Sequence, residues 1–210
     1  MHIENTKKTK KWVLYGGVFN PVGNHHVQIA RAVVDQFGSL VVVPCGDYGY
    51  KPATQRTTQE HRRKIVEYGF GGLNDTEIDF HDFDNGVFTP TYELDMRYRL
   101  LYPEQEICHV IGDDLIKGGS QNESQIQQRW YRGLGVWETL TFVIVSNSKV
   151  GLDPQDLPPH HLLLKVGELY GRSTVIRKRV AAGFPISDFV SPAVASYIHE
   201  NGLYKDEPLS

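Results

Sequence analysis

Short apolar runs rich in β-branched residues alternate along this chain with segments of helical periodicity, and this alternation narrows its fold more than any other feature. The runs Leu40–Val43, Ile107–Ile111 and Leu140–Val145 are almost continuously apolar instead of alternating with polar residues. Strands of that kind are buried on both faces, which is typical of a parallel sheet covered by helices on both sides. We therefore predict an α/β fold whose ligands bind beyond the carboxyl ends of the strands.

Turn and capping signals place the elements. The predicted strands are Trp12–Tyr15, Leu40–Val43, Thr76–Phe80, Ile107–Ile111, Leu140–Val145 and Leu162–Val166. Helices are predicted from about Asn24 to Phe37 with Gly38 as the stop, from a Thr58 cap to about Phe70, over Thr91–Leu101, and from a Ser191 cap with Pro192 at the first position to Asn201-Gly202. Residues 82–89 are predicted as loop, and Arg56, His61 and Arg62 as a solvated helix face.

Length and composition fit one globular domain, because the 210 residues are 40% hydrophobic and 22% charged. We predict a flexible basic arm at residues 1–11 and a single domain at 12–210, with the C-terminal motif and helices at 171–204. The net charge of −3 gives no general attraction to nucleic acid or anionic lipid, and no apolar stretch approaches the roughly 18 residues that span a bilayer. Cys45 and Cys108 are too few for a disulfide framework. We expect a cytoplasmic protein without nucleic-acid or membrane partners, and homo-oligomer formation is left open.

A glycine-rich segment follows the first predicted strand. Gly16 and Gly17 stand between that strand and a helix beginning near Asn24. Glycines there let the backbone turn tightly and let a phosphate approach main-chain N–H groups, and the helix N-terminus adds partial positive charge. His25 and His26 add imidazole donors at the same terminus. An ordinary strand–turn–helix with surface histidines would share the glycine pair, but not the whole string.

The whole string from Gly16 to His26 resembles the Gly-Gly-x-Phe-Asn/Asp-Pro-x-His-x-Gly-His motif of the nicotinate/nicotinamide mononucleotide adenylyltransferases. The residues in register are Gly16, Gly17, Phe19, Asn20, Pro21, Asn24 and His26. Together with the alternating strands, this resemblance implies a Rossmann-like doubly wound parallel sheet with a small C-terminal helical extension. It further implies that Gly16, Gly17, Val18, Phe19 and His26 bind ATP and that Asn20 contacts a mononucleotide.

One exchange departs from that motif. Gly23 stands where the family has its first histidine, and His25 stands where the family has glycine. His26 is therefore the expected main imidazole donor in catalysis. His25 either substitutes for the absent histidine or faces solvent, because one residue along a helix turns a side chain by about 100°.

A second motif lies near the C-terminus, at Ser173-Thr174-Val175-Ile176-Arg177. Hydroxyls at a helix start with an arginine one turn later make an anion site, although a capped surface helix would carry the same residues. The stretch resembles the family's Ile-Ser-Ser-Thr-x-Ile-Arg motif, which implies that Ser173, Thr174 and Arg177 bind ATP and that Arg177 is catalytic. Arg172 is a cation that the family pattern lacks, and we expect it to restore part of the donor strength lost at Gly23.

The resemblance extends to the middle of the chain. Ile111-Gly112-Asp113-Asp114 is similar to the family's Ile-Gly-Ala-Asp, which implies that Gly112 and Asp114 contact the adenosine, although a loop aspartate or helix cap explains Asp114 as well. A family tryptophan stacks on the pyridine ring, and both Trp130 and Trp137 qualify, with Trp130 favoured. Thr91 and Lys51 also match residues at the mononucleotide end, and Thr91 is equally a helix-start threonine.

The implied reaction is adenylyl transfer from ATP to nicotinate or nicotinamide mononucleotide in NAD biosynthesis, with Mg²⁺ accompanying ATP as its cofactor. The histidines show no zinc-ligand spacing with cysteine, so no protein-held metal is expected. Two alternatives stay open: transfer to another phosphate such as phosphopantetheine, and a nucleotide-binding or regulatory protein whose catalysis is impaired because Gly23 replaces a histidine.

Overall fold

The computed structural model describes residues 11–46, 57–146, 151–206 and 208. The strands are β1 Lys11–Gly17, β2 Leu40–Pro44, β3 Thr76–Ile78, β4 Glu106–Gly112, β5 Thr141–Ser146 and β6 His161–Lys165. The α-helices are α1 Asn24–Phe37, α2 Gln59–Phe70, α3 His81–Asn85, α4 Thr91–Leu101, α5 Gln125–Arg129, α6 Gly133–Thr139, α7 Ser173–Ala181 and α8 Pro192–Glu200. Short 3₁₀ turns lie at Asp113–Leu115, Gly119–Gln121 and Pro154–Asp156.

The strands of the described chain form one parallel sheet in the order β3-β2-β1-β4-β5-β6. The predicted Rossmann-like doubly wound fold is therefore confirmed. The chain turns back between β1 and β4, and this reversal opens a crevice at the carboxyl ends of those two strands. The pairing of Leu14 with His109 brings Gly17 and Gly112, three residues further on, to the same level at that edge.

Successive side chains of each strand point to opposite faces, so the four inner strands β2, β1, β4 and β5 contribute to cores on both faces of the sheet. Val13 and Tyr15 pack with α1, α2, α7 and α8 on one face. Leu14 packs with α4 on the other face, and Phe142 and Ile144 of β5 pack there with α5 and α6. This two-sided burial explains why the strands are continuously apolar in sequence.

The predicted helix ends agree with the structure where a capping residue marked them. Thr58 Oγ1 accepts the His61 N–H at 3.3 Å at the start of α2, and Ser191 Oγ accepts the Val194 N–H at 3.3 Å at the start of α8. Gly38 ends α1 with φ 88°, a left-handed conformation that favours glycine. No helix in the described part of the chain is long and apolar enough to cross a bilayer.

Three local predictions were wrong. β1 already includes Lys11, whose ammonium pairs with Glu106 on β4, so the predicted arm overlaps the sheet by one residue and its remainder lies outside the described residues. Helix α3 occupies part of the predicted loop 82–89, because the Asp79 carboxylate accepts the His81 N–H at 2.9 Å and starts a helical turn. Arg62 is 6% exposed, not solvated.

Candidate active site

The two predicted phosphate motifs meet at the carboxyl end of β1. Ser173 Oγ donates to the Pro21 carbonyl at 2.9 Å, although the two residues are 152 positions apart in sequence. Arg177 Nη1 donates to the Asn20 carbonyl at 2.9 Å. The start of α7 is thereby fixed against the loop between β1 and α1, and the two motifs form one site.

These contacts give two of the predicted ATP-binding residues a structural role. The side chains of Ser173 and Arg177 both donate to carbonyls of the loop and hold it in place. Thr174 and Arg172, by contrast, are exposed at the N-terminus of α7. A phosphate approaching this terminus would first meet Thr174, Arg172 and the helix N–H groups.

His26 has a defined orientation at the start of α1. Its Nδ1 accepts the Gly23 N–H at 3.0 Å, which leaves the proton of the neutral ring on Nε2. The Phe19 ring lies edge-on against it with centroids 5.1 Å apart. Burial of the ring, and then the neighbouring His25, lowers the pKa of His26 well below 6.5. At neutral pH His26 is therefore an uncharged hydrogen-bond donor.

His25 does not face solvent but folds back over Gly23. A Cβ at position 23 would lie 2.6 Å from Nδ1 of His25 and 2.9 Å from Cδ1 of Ile176. The ring lies next to His26, with centroids 3.8 Å apart. Burial, and then the charge of Arg172, lowers the pKa of His25 to about 4. The imidazole of His25 thus fills the space that a side chain at position 23 would need.

The backbone of the glycine loop is held from several sides. Phe19 adopts φ 50°, which is uncommon for a bulky residue. A Cβ at Gly17 would lie 2.8 Å from the Phe19 ring, so this position requires glycine. Asn20 is buried, and its Oδ1 accepts the Tyr204 hydroxyl at 2.5 Å. The amide oxygen of Asn20, predicted at the mononucleotide, is therefore bound to the C-terminal segment.

Sequence reasoning missed two residues of this site. Tyr204 follows the last helix and reaches Asn20 across 184 positions, which no local pattern reports. Arg62 donates to the Val18 carbonyl from Nη2 at 2.9 Å and from Nε at 3.2 Å. A signal for Arg62 did exist, since it shares the buried stripe of α2 with Ile65 and Val66 at the spacing i, i+3 and i+4.

The end of β4 brings acidic side chains to the same edge. Gly112 is the last residue of β4, and the Asp114 carboxylate folds over the space where a Cβ of Gly112 would stand. Asp114 is exposed and Asp113 half-buried on the following 3₁₀ turn. Both carboxylates are thus available beside the glycine loop, as a ribose contact at Asp114 requires.

The two tryptophans differ in exposure. Trp137 is 5% exposed in the core between α6 and β5. Trp130 ends α5, is only half-buried, and packs against the same cluster as Tyr92. The Arg132 guanidinium lies 4.6 Å from the Tyr92 ring centroid and 5.5 Å from that of Tyr131. Tyr92, Tyr131 and Arg132 thus form an aromatic corner with a cation, two residues along the chain from the half-buried Trp130, whereas Trp137 is core.

Two predicted residues of the mononucleotide end remain, Thr91 and Lys51, and only the first lies in the described part of the chain. Thr91 is the first residue of α4 and is half-buried, next to Tyr92 of the aromatic corner. Lys51 lies outside the described residues. No three histidine, cysteine, aspartate or glutamate side chains are grouped as metal ligands in residues 11–46, 57–146, 151–206 and 208.

Comparison with known proteins points to one class of enzyme. No family model matches the chain. Over 201 residues the chain is 27% identical to a Staphylococcus epidermidis protein described as a probable nicotinate-nucleotide adenylyltransferase, a match that covers 94% of this chain and 99% of that protein. Two structures of the Plasmodium falciparum nicotinic acid mononucleotide adenylyltransferase, complexed with NaAD and with APC, share the fold with TM-scores of 0.75 and 0.71. Each is 21% identical and covers 93% of this chain and 98% of its own.

Proposed function

We propose that this chain is a nicotinate-nucleotide adenylyltransferase, which transfers the adenylyl group of ATP to nicotinate mononucleotide and releases pyrophosphate. The observation that carries the proposal is the convergence of the two motifs, because Ser173 and Arg177 bind the carbonyls of the glycine loop. The full-length similarity to an enzyme of that description supports it. The product would be deamido-NAD, and Mg²⁺ would accompany ATP.

The chemistry asks for positioning more than for a protein nucleophile. The 5′-phosphate of the mononucleotide attacks the α-phosphorus of ATP in line, and pyrophosphate leaves. The donors available to the polyphosphate are Nε2–H of His26, the N–H groups at the α7 terminus, Thr174 and Arg172. Mg²⁺ bound to the phosphate oxygens supplies further neutralisation of charge.

We assign His25 as the second imidazole donor. Its Nδ1 is buried and has no hydrogen-bond partner among the described residues. An unpaired buried N–H costs more than an unpaired lone pair, so the proton belongs on Nε2, as in His26. Each of the two neutral rings, which are tilted by 39° with centroids 3.8 Å apart, then carries an Nε2–H donor, and the charge of Arg172 acts on His25.

The position of the His25 ring also bears on the alternative that catalysis is impaired. The exchange at Gly23 was its only support, and the ring of His25 occupies the space of the absent side chain. This placement supports the proposal that His25 compensates for the exchange. No observation in the described residues favours a regulatory protein over an enzyme.

The aromatic corner supports nicotinate over nicotinamide as the pyridine substrate. Trp130, which is half-buried and lies two residues before Arg132 of the aromatic corner, is the side chain that would stack on the electron-poor pyridine ring. The exposed guanidinium of Arg132 lies over Tyr92, where it can pair with a carboxylate but gains little from a neutral amide. At the other end of the dinucleotide, Asp114 would accept from the ribose hydroxyls of ATP.

The experiment is pyrophosphate release from Mg·ATP with nicotinate mononucleotide, nicotinamide mononucleotide or phosphopantetheine as the only acceptor. We expect the fastest release with nicotinate mononucleotide and none with phosphopantetheine. ATP binding without release in any arm would favour the nucleotide-binding alternative, and release with phosphopantetheine alone would favour a different nucleotidyltransferase.

A further inference from the structure

Arg62 is a buried cation directly beneath the glycine loop. It belongs to α2, and its guanidinium donates to three carbonyls at the carboxyl edge of the sheet, that of Val18 after β1 and those of Cys45 and Gly46 after β2. The ring of Phe83 covers it, with Cζ 4.7 Å from the ring centroid. The planar fork of arginine can bind two acceptors at once in a fixed geometry. Arg62 therefore fixes the ends of β1 and β2 relative to each other.

The same bonds fix the orientation of two peptide groups. In a trans peptide the C=O and N–H point in opposite directions. The Cys45 carbonyl points to Arg62, and the Gly46 N–H of that peptide donates to the Asp82 carboxylate at 3.2 Å on the other side. The Val18 carbonyl also points to Arg62, so the Phe19 N–H points away from it.

The loop would not keep this orientation without hydrogen bonds such as those that the Val18 carbonyl accepts from Arg62. Phe19 has φ 50°, a conformation that costs a non-glycine residue on the order of 1 kcal/mol or more and persists only when its surroundings impose it. Two hydrogen bonds from a charged group to the preceding carbonyl are such a constraint. A loop peptide freed from Arg62 could rotate its N–H away from a phosphate.

We propose that Arg62 is a positioning residue for the ATP polyphosphate: by binding the Val18 and Cys45 carbonyls it fixes the loop with the Phe19 N–H directed to the phosphates. Its buried charge beneath the loop adds to the positive potential there. The proposal rests on the proposed ATP site. It predicts an effect on ATP that is separate from any effect on the mononucleotide, which a purely structural role would not produce.

The test compares Arg62 with its neighbour in sequence. Arg63 also lies over an aromatic ring, that of Phe80 with Cζ at 4.0 Å, but it pairs with Asp84 on the surface and, within the described part of the chain, donates to no carbonyl of the glycine loop. The variants are Arg62→Lys, Arg62→Met, Arg63→Lys and Arg63→Met in the full chain. The measurements are the Kd for Mg·ATP by calorimetry, the KM for each substrate, kcat and the Tm.

We expect Arg62→Lys to fold and to weaken ATP binding by about 10- to 100-fold, because an ammonium cannot hold both carbonyls. The KM for the mononucleotide should stay within about twofold, and the Arg63 variants should bind ATP as the wild type does. Wild-type ATP affinity in a folded Arg62→Lys protein would overturn the proposal. So would equal losses for both substrates, or an unfolded lysine variant, since each makes Arg62 a fold residue. Because the Kd is read without turnover, failure of the proposed reaction would not disturb this result.

Discussion

The protonation of two adjacent histidines decides how this site can hold a polyphosphate. Hydrogen bonding from the Gly23 N–H and burial keep His26 neutral with its proton on Nε2. A neutral donor can bind a phosphate oxygen without the desolvation cost of a permanent buried charge. Sequence reasoning could propose His26 as a donor, but its tautomer depends on a contact with the backbone of the same turn, which only the structure shows.

Replacement of His26 by alanine tests that role. We expect His26→Ala to lower kcat by about two orders of magnitude, because loss of one oriented donor typically removes ~3 kcal/mol of transition-state stabilisation. Steady-state pyrophosphate release measures it, with circular dichroism to confirm the fold. His199→Ala, at an exposed histidine of α8, is the matched control. A near wild-type rate for His26→Ala would refute the assignment.

Because Gly23 and His25 exchange the residues of the family motif, the effects of substitutions at these two positions should be coupled. Gly23→His should collide with the ring of His25, and His25→Gly should remove a donor, so each should lower kcat/KM by about 10-fold or more. The double variant Gly23→His/His25→Gly should recover most of the activity, because its new side chain enters the vacated space. Gly72→His, at a glycine with open space around it, controls for an added histidine. Additive losses in the double variant would show that the two positions are independent.

The choice between nicotinate and nicotinamide mononucleotide should depend on a single side chain, that of Arg132. Arg132→Gln should lower kcat/KM for nicotinate mononucleotide by about 10-fold and change that for nicotinamide mononucleotide little, because only the carboxylate pairs with the guanidinium. Competition kinetics with both mononucleotides measures the ratio. Arg129→Gln, at an exposed arginine of α5, should leave it unchanged. An unaltered ratio in Arg132→Gln would remove this residue from specificity.

Two helices that begin at a capping residue were predicted, whereas α3, whose start depends on an acidic side chain upstream, and α5, which begins with a capping box of Ser124 and Gln127, were not. Thr58 and Ser191 sit at their caps as the sequence predicts. α3 was missed because its first turn is stabilised by Asp79, which lies outside any usual capping pattern. α2 shows a different failure: the stripe Arg62, Ile65, Val66 was visible, but arginine is so seldom buried that it was assigned to solvent.

The contact between α4 and β4 predicts a pH dependence of stability. Asp95 of α4 is 4% exposed, and its carboxylate accepts from Nε2 of His109 on β4 at 3.0 Å and from Nε of Arg99 at 2.5 Å. Burial alone would raise the pKa of Asp95, but these hydrogen bonds outweigh it and hold the pKa below its ordinary value of 3.8. The stabilisation is therefore fully present above pH 3.8 and is lost as the pH falls through the folded-state pKa.

Replacement of Asp95 by asparagine should show how much this contact contributes to the free energy of unfolding. We expect Asp95→Asn to lower the free energy of unfolding at pH 7 by about 3 kcal/mol, as for a buried pair that loses one partner. The difference from wild type should shrink as the pH falls below 3.8 through the lowered folded-state pKa, because protonation of the unfolded chain and then of the native carboxyl removes the contribution of the pair. Urea unfolding at a series of pH values measures both. A constant difference between pH 7 and pH 3 would contradict the linkage.

At the scale of the whole molecule, the sheet was predictable from the sequence, but the contacts that join distant segments into one site were not. Continuous apolar runs alternating with helices indicated a parallel sheet, which the strand order confirms, and the ligand edge at Gly16-Gly17 stays a prediction. The bonds of Ser173 to Pro21 and of Tyr204 to Asn20 join segments far apart in sequence. Periodicity and capping are local signals and cannot pair such segments. Only the resemblance of both motifs to one family suggested that they act together.

The central claim is that the two motifs form one site that transfers the adenylyl group. The most direct measurement follows the α-phosphorus: Mg·ATP labelled at that atom is incubated with nicotinate mononucleotide, and the products are separated. The account predicts that the label leaves ATP and appears in a dinucleotide, in equal amount with the pyrophosphate released. Label that stays in ATP, or that appears as free AMP or ADP with no dinucleotide, would contradict it.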